Sequence, residues 1–317
     1  MNKIEQFLDS AAKAYYAGSP IITDAQFDAL SDSVDYNKVG TVKQNSKVDK
    51  HLYQMYSLQK YYEDEGTQPL QGISSVAVSI KLDGAALSLL YVDGELTRVL
   101  TRGDGIEGQI VTDKFIGNPI VPQTVPFTGV YQITGEIVAP INIENARNYA
   151  AGALNLKDTS EFRERALSFF AYGVQPQLAP TFDRDLDILK SCGFGVINEA
   201  EIDKIFPCDG LVFRVNDNKT FYEMGYTAKY PRGAYARKER QPHTETILRE
   251  VDWNVGKSGR VTPVAIFDPI NIDGKIITRA TLNNPGFIEA LGLRIGDTIA
   301  VRLAGMIIPE VIHKVDA

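Results

Sequence analysis

Lys81-Leu82-Asp83-Gly84 follows Val76-Ala77-Val78-Ser79-Ile80, a short apolar run of strand character, so a lysine stands at the end of a strand expected to be buried. An ammonium there is costly unless it is paired or deprotonated, and a neutral lysine is a nucleophile. Asp83, two residues on, falls on the same face of a strand, and Gly84 lets the backbone turn closely around a ligand. An edge-strand lysine ion-paired to an acid gives the same four letters, and a motif this short does not separate the two. A second segment, Thr101-Arg102-Gly103-Asp104-Gly105, suits a loop that meets a phosphate or a ribose, and equally a plain turn. Gly256-Lys257-Ser258 invites comparison with a nucleotide phosphate loop. The glycine that pattern requires five residues earlier is Val251, so the pattern fails. A basic turn on duplex phosphates, or a solvated loop, fits better.

The elements that must position these residues read as three regions. Residues 1–50 look helical: Ile4, Phe7, Leu8 and Ala11 recur at helical spacing, Gly18-Ser19-Pro20 interrupts, and Thr23 with Gln26 forms a capping box before Phe27, Leu30 and Val34. Residues 51–239 mix strands and helices. Ala86 to Tyr91 and Leu96 to Leu100 flank the turn Val92-Asp93-Gly94-Glu95. Val130 to Val138, Leu167 to Val174 and Leu211 to Val215 are further strands, and Asp183 to Ser191 is a helix closed by Gly193. That pattern predicts an α+β domain. Residues 244–317 carry five short β runs and a helix over Asn284 to Leu291, which predicts an OB-fold barrel.

Bulk properties set limits. A chain of 317 residues suits two or three domains. The net charge of −7 argues against coating nucleic acid by bulk charge, though a local basic path is compatible with it. Cys192 and Cys208 are the only cysteines, best read as free thiols, and with three histidines they make a structural zinc site improbable. No apolar run spans a bilayer and the start lacks a signal-peptide pattern, so a cytoplasmic enzyme is expected.

Lys81-Leu82-Asp83-Gly84, then a hairpin, then Thr101-Arg102-Gly103-Asp104-Gly105, then Gly135-Glu136 resembles the covalent nucleotidyltransferases. Within them the chain is similar to the bacterial NAD⁺-dependent DNA ligases. The likeness continues through Ala146 to Leu154, Phe169 to Val174, Asp209 to Asn216, and Pro231-Arg232 with Lys238. In the last region it runs through Val255 to Val264, Ala280 to Asn284, Leu293 to Asp297 and Ala304 to Pro309.

The resemblance implies a nucleotidyltransferase (adenylation) domain over 51–239, an amino-terminal helical subdomain over 1–50 and an OB fold over 244–317. It implies that Lys81 attacks the α-phosphate of NAD⁺, forms lysyl-AMP and releases nicotinamide mononucleotide. AMP then passes to the 5′-phosphate of a nick in duplex DNA, and the 3′-hydroxyl displaces it. Asp83 and Glu136 would hold the ribose and orient the lysine, and Arg102 would contact the nucleotide near the ribose. Arg214 and Lys238 would neutralise the transferring phosphate. Asp209 would sit near the nucleotide and a bound Mg²⁺, whose ligands the sequence leaves open. Ser57 and Leu58 match the adenine-side segment, Gly84 belongs to the lysine motif, and Arg147 and Arg232 would serve phosphate or DNA. Tyr15, Tyr16, Asp24, Phe27 and Asp28 match the part that takes the nicotinamide half, which favours NAD⁺ over ATP. Lys257, Arg260 and Arg302 would touch DNA. Tyr15, Phe27, Ser79, Asn155 and Arg214 stand where the family usually has His, Tyr, Glu, Arg and Lys. The family's zinc-finger, helix–hairpin–helix and BRCT domains do not follow the barrel. The expected form is thus a minimal or phage-like monomer in a bacterial or host cytoplasm. A subunit of a split ligase, or an RNA ligase of the same fold, is the alternative.

Overall fold

A computed structural model of the chain describes residues 3–16, 21–23, 26–27, 30–31, 47–62, 68–238, 243–255, 261–272, 274–304 and 308–315. The chain divides into two compact units, residues 39–239 and residues 1–38 with 240–317. Among the described residues no helix is long and apolar enough to cross a membrane.

In the unit 39–239 the strands are β1 (Val48–Lys50), β2 (Gln59–Tyr61), β3 (Val76–Leu82), β4 (Ala85–Val92), β5 (Glu95–Thr101), β6 (Glu107–Gln109), β7 (Val130–Val138), β8 (Ser168–Gln175), β9 (Gly195–Val196), β10 (Cys208–Val215) and β11 (Ala234–Arg237). They build a five-stranded sheet in the order β5-β4-β7-β8-β9, a four-stranded sheet in the order β2-β11-β10-β3, and the pair β1-β6. The hairpin of β4 and β5 turns at Asp93-Gly94, where the sequence places it. Alternation along β4 and β7 sends Leu87, Leu89, Tyr91, Ile133 and Ile137 into one core, each fully buried. The helix Phe182–Ser191 closes over that core with Phe182, Leu186 and Leu189. Asp83-Gly84 carries the chain from one sheet to the other. A Cβ on Gly84 would lie 2.2 Å from the Ile137 carbonyl oxygen, so this crossing admits only glycine.

In the other unit, β12 (Thr244–Val255), β13 (Val261–Ile272), β14 (Lys275–Thr281), β15 (Thr298–Ala304) and β16 (Ile308–Lys314) close into a barrel in the order β12-β13-β14-β16-β15. This is the expected five-stranded barrel, and the expected helix lies at Pro285–Leu291, between β14 and β15. Asn284 caps it, accepting from the Phe287 N–H at 3.1 Å.

The amino-terminal segment adds to this barrel. Leu8 and Ala11 of the helix Lys3–Tyr16, with Ile22 and Leu30, share one hydrophobic core with Leu248, Phe267, Phe287 and Val301. The capping box is formed: the Thr23 N–H donates to Gln26 Oε1 at 2.8 Å and the Gln26 N–H to Thr23 Oγ1 at 3.3 Å. Gln26 is fully buried and donates to the Val311 carbonyl at 2.7 Å, while Asn284 donates to the Ile21 carbonyl at 2.8 Å. Sequence reading sets residues 1–50 apart as a subdomain. In the structure its described helical part completes the barrel's core, and residues from 39 onward go with the other unit.

Candidate active site

Lys81 lies on β3, at the edge of the four-stranded sheet, and its register explains its partners. Cys208 pairs with Leu82 and Leu211 with Ile80, so Asp209 and Gly210 together oppose Lys81. This is a β-bulge, which re-aims a side chain. Gly210 makes it possible: its φ is +144°, and a Cβ there would lie 2.2 Å from the Arg237 carbonyl oxygen. The bulge turns Asp209 onto the lysine. Lys81 Nζ donates to Asp209 Oδ1 at 2.7 Å. Lys238, one residue past β11, reaches Asp209 Oδ2 at 3.1 Å. Its own backbone N–H donates to the Tyr61 carbonyl at 3.0 Å. One carboxylate thus holds two ammonium groups, all three side chains no more than 27% exposed. Burial pushes the Asp209 carboxyl up, but Lys81 and Lys238 outweigh it and hold the group below the usual carboxylate range.

Two further acids surround the pair. Asp83 is ion-paired at 3.0 Å with Arg147, which the helix Ala146–Ala153 presents. Glu136 lies on the central strand β7, opposite Ala86 of β4 and Phe170 of β8. Burial pushes its carboxyl up to about 7, against the pull of Lys81, Arg102 and Arg147, with Asp83 adding to the rise. Tyr172, on β8, faces the same carboxyl, and its phenol is also raised, by burial first and then by Glu136. Tyr172 is a neighbour that sequence reading missed, because a tyrosine in a strand reads as packing.

Arg102 begins the loop after β5. Its N–H donates to the Ala86 carbonyl at 3.0 Å and its carbonyl accepts from the Gly105 N–H at 2.9 Å, which fixes the turn. Ser57 donates its N–H to the Lys229 carbonyl at 3.0 Å, and Leu58 packs beside Val215, Phe221 and Ala234. Between the two segments Tyr56 stacks on Tyr226, rings 4.5 Å apart, a contact that no motif announced.

Other expected residues are placed elsewhere. Arg214 is sandwiched between Phe182 and Phe221, 4.3 Å and 3.9 Å from the ring centroids. It donates to Asn218 Oδ1 at 2.9 Å and to the Val215 carbonyl at 3.1 Å, and burial lowers its pKa to about 10. The structure engages this guanidinium in packing, not with the Lys81–Asp209 pair. Arg232 is exposed and donates to the Tyr226 carbonyl at 2.9 Å. Arg302, expected at a DNA surface, is instead paired at 2.6 Å with Glu310, which is 1% exposed. Breaking such a pair typically costs about 3–5 kcal/mol, so this arginine is held inside the barrel unit. Phe27 packs against the same barrel core. Tyr15 and Tyr16 fall in the helix Lys3–Tyr16. Asp24, Asp28, Lys257 and Arg260 lie outside the described residues.

Residues 43–205 match the family model described as the NAD-dependent DNA ligase adenylation domain, and residues 245–317 match the NAD-dependent DNA ligase OB-fold domain. A DNA ligase of Lactobacillus johnsonii is 32% identical, with 98% of this chain and 56% of that one covered. A DNA ligase of Flavobacterium johnsoniae is 33% identical, with 89% of this chain and 49% of that one covered. The chain therefore spans about half the length of these relatives. Among solved structures, a mycobacterial DNA ligase D complexed with ATP and MES aligns with 89% of this chain and 96% of that one, at 11% identity and a TM-score of 0.37, too slight a likeness to argue from.

Proposed function

Since the chain belongs to the NAD-dependent DNA ligases, we propose that it takes AMP from NAD⁺ onto Lys81 and delivers it to the 5′-phosphate of a nick in duplex DNA, which the adjoining 3′-hydroxyl then seals. The observation that carries this reading is the half-buried cluster in which Lys81 Nζ meets the Asp209 carboxylate at 2.7 Å, with Lys238 on its other oxygen.

The first step follows from the residues. Lys81 gives up a proton, and Asp209 Oδ1 is within reach to take it. The nitrogen lone pair attacks the adenylyl phosphorus. A P–N bond forms, the P–O bond of the pyrophosphate breaks, and nicotinamide mononucleotide leaves with that electron pair. Lys238 meets the charge that develops on the phosphate oxygens. Arg102 and Glu136 bind the ribose side, and residues 55–58 line the adenine side. Among the described residues no three His, Cys, Asp or Glu side chains gather into a metal cage. Mg²⁺ would be held mainly by phosphate oxygens, with Asp209 the acid the family resemblance points to, and there it would neutralise phosphate charge.

Labelled adenylate supplied as NAD⁺ is expected to remain on the denatured chain and then to leave it when nicked duplex is added. The same label supplied as ATP is expected not to transfer. Transfer from ATP alone would overturn the cofactor, and no transfer from either would overturn the enzyme.

Glu136 gives the step a pH dependence. A carboxyl raised to about 7 is protonated below that pH and anionic above it. The anion accepts ribose hydroxyls better than the acid does. Label uptake at saturating NAD⁺ is therefore expected to rise through about pH 7 to a plateau. Glu136→Gln should be slower and should lose this acid limb. If the limb survives the substitution, another group sets it.

A further inference from the structure

His51 has both ring nitrogens engaged. Nδ1 lies 2.8 Å from the Ser88 hydroxyl and Nε2 lies 3.0 Å from the Arg102 carbonyl oxygen. A carbonyl only accepts, so the ring proton belongs on Nε2, and Nδ1 of a neutral ring accepts from Ser88. Burial lowers the imidazole pKa, which favours that neutral form despite the nearby Asp104 carboxylate. Arg98 is the other charged group facing the ring and acts in the same direction as burial.

Three separate pieces of chain meet at this imidazole. Ser88 is buried on β4, inside the five-stranded sheet. Arg102 stands at the head of the loop that follows β5. His51 belongs to the arm that continues into residues 55–58. The arm runs along the loop by two backbone bonds, His51 N–H to the Ile106 carbonyl at 2.9 Å and Met55 N–H to the Gly105 carbonyl at 2.8 Å. The Gln132 side chain fixes the arm from its other side. It accepts from the Tyr53 N–H at 2.9 Å and donates to the Tyr53 carbonyl at 2.7 Å. Of all these contacts, the histidine alone ties arm, sheet and loop at one point.

We infer that His51 is a positioning residue for NAD⁺: it sets Arg102 relative to β4 and to the adenine-side segment 55–58, so that both ends of the adenosine meet groups already in place. The inference rests on the proposed part of Arg102 in binding the nucleotide. A preformed site spends less of its interaction energy on ordering the protein, so loss of the tie should appear in affinity and not in the bond-making rate.

The test is single-turnover label uptake from NAD⁺ over a range of concentrations. His51→Ala is expected to raise the half-saturating NAD⁺ concentration about tenfold and to change the plateau rate by less than about threefold, as for the loss of a buried hydrogen-bonded group that acts on binding. His51→Gln keeps a donor for the Arg102 carbonyl and an acceptor for Ser88, and should recover most of the loss. The double variant His51→Ala/Arg102→Ala should bind no worse than Arg102→Ala alone, because the histidine acts through the arginine. A normal half-saturating concentration in folded His51→Ala, or additive losses in the double variant, overturns the inference. If Arg102→Ala itself binds NAD⁺ normally, the assignment of Arg102 fails and the inference with it. Ser88→Ala releases the ring from β4 and carries the test if His51→Ala does not fold. There a rise of about two- to threefold is expected, and none overturns the inference.

Discussion

Lys81→Ala is expected to leave a folded chain on which no adenylate is retained, while the parent chain is expected to keep the label through denaturation. The loss is expected to be complete, because the nucleophile itself is gone and no slower route forms the same bond. Among the described residues Lys238 is the rival amine that shares Asp209. Its approach is different: it enters from the far side of the carboxylate, on Oδ2, while Lys81 holds Oδ1. Lys238→Ala is therefore expected to take label slowly and not to abolish it. Folding is a fair control here. Removing Lys81 leaves Asp209, a half-buried carboxylate, still paired with Lys238, and an unpaired carboxylate is the usual cause of a large stability loss in such a site. Normal label on Lys81→Ala would place the nucleophile elsewhere. Label lost from Lys238→Ala but kept by Lys81→Ala would exchange the two roles.

Some of this site was legible in the sequence and some was not. Lys81 was legible as one of two readings, a nucleophile or an ion-paired lysine on an edge strand, and the structure sets it on the edge strand β3 against Asp209. The turn at Asp93-Gly94 was legible from its dipeptide. The bulge at Asp209-Gly210 was not, since only pairing with β3 reveals that two residues oppose one. The surroundings of Arg214 and Arg302 were not legible, for a common reason. A charged residue type suggests a ligand or solvent, but Phe182 and Phe221 enclose the first and Glu310 the second. Phe182 and Glu310 come from other elements, which residue type and spacing do not connect. His51 gave no signal, because one histidine has no spacing to read. The amino-terminal helix shows the limit of periodicity. Leu8 and Ala11 declare a buried face, but the pattern does not say that Phe287 and Val301 lie against it.

Asp209→Asn separates two roles that the geometry gives the same carboxylate. In the resting site the anion stabilises the Lys81 ammonium, which is not a nucleophile. Two charges about 4 Å apart at an effective dielectric near 20 attract by about 4 kcal/mol. If this were all Asp209 did, its neutral replacement would free the amine and speed the reaction near neutral pH. The second role opposes that gain. Asp209 Oδ1, at 2.7 Å, is the acceptor placed to take the Nζ proton and to aim the lone pair. On the proposed reading the phosphates of bound NAD⁺ would supply negative charge beside the two lysines, so the anion's field would matter less while the proton would still need a destination. Asparagine keeps one acceptor oxygen and turns an NH₂ toward the other ammonium, which misaligns both lysines. The second role should win. Asp209→Asn is expected to take label about 10²–10³-fold more slowly at saturating NAD⁺, the usual scale for removing one preorganised polar group. The deficit should persist at pH 9, where hydroxide can take the Nζ proton but the aim of the lone pair is still lost. A variant as fast as the parent at pH 7 would confine Asp209 to the resting state. A deficit that disappears by pH 9 would make it a proton acceptor and nothing more.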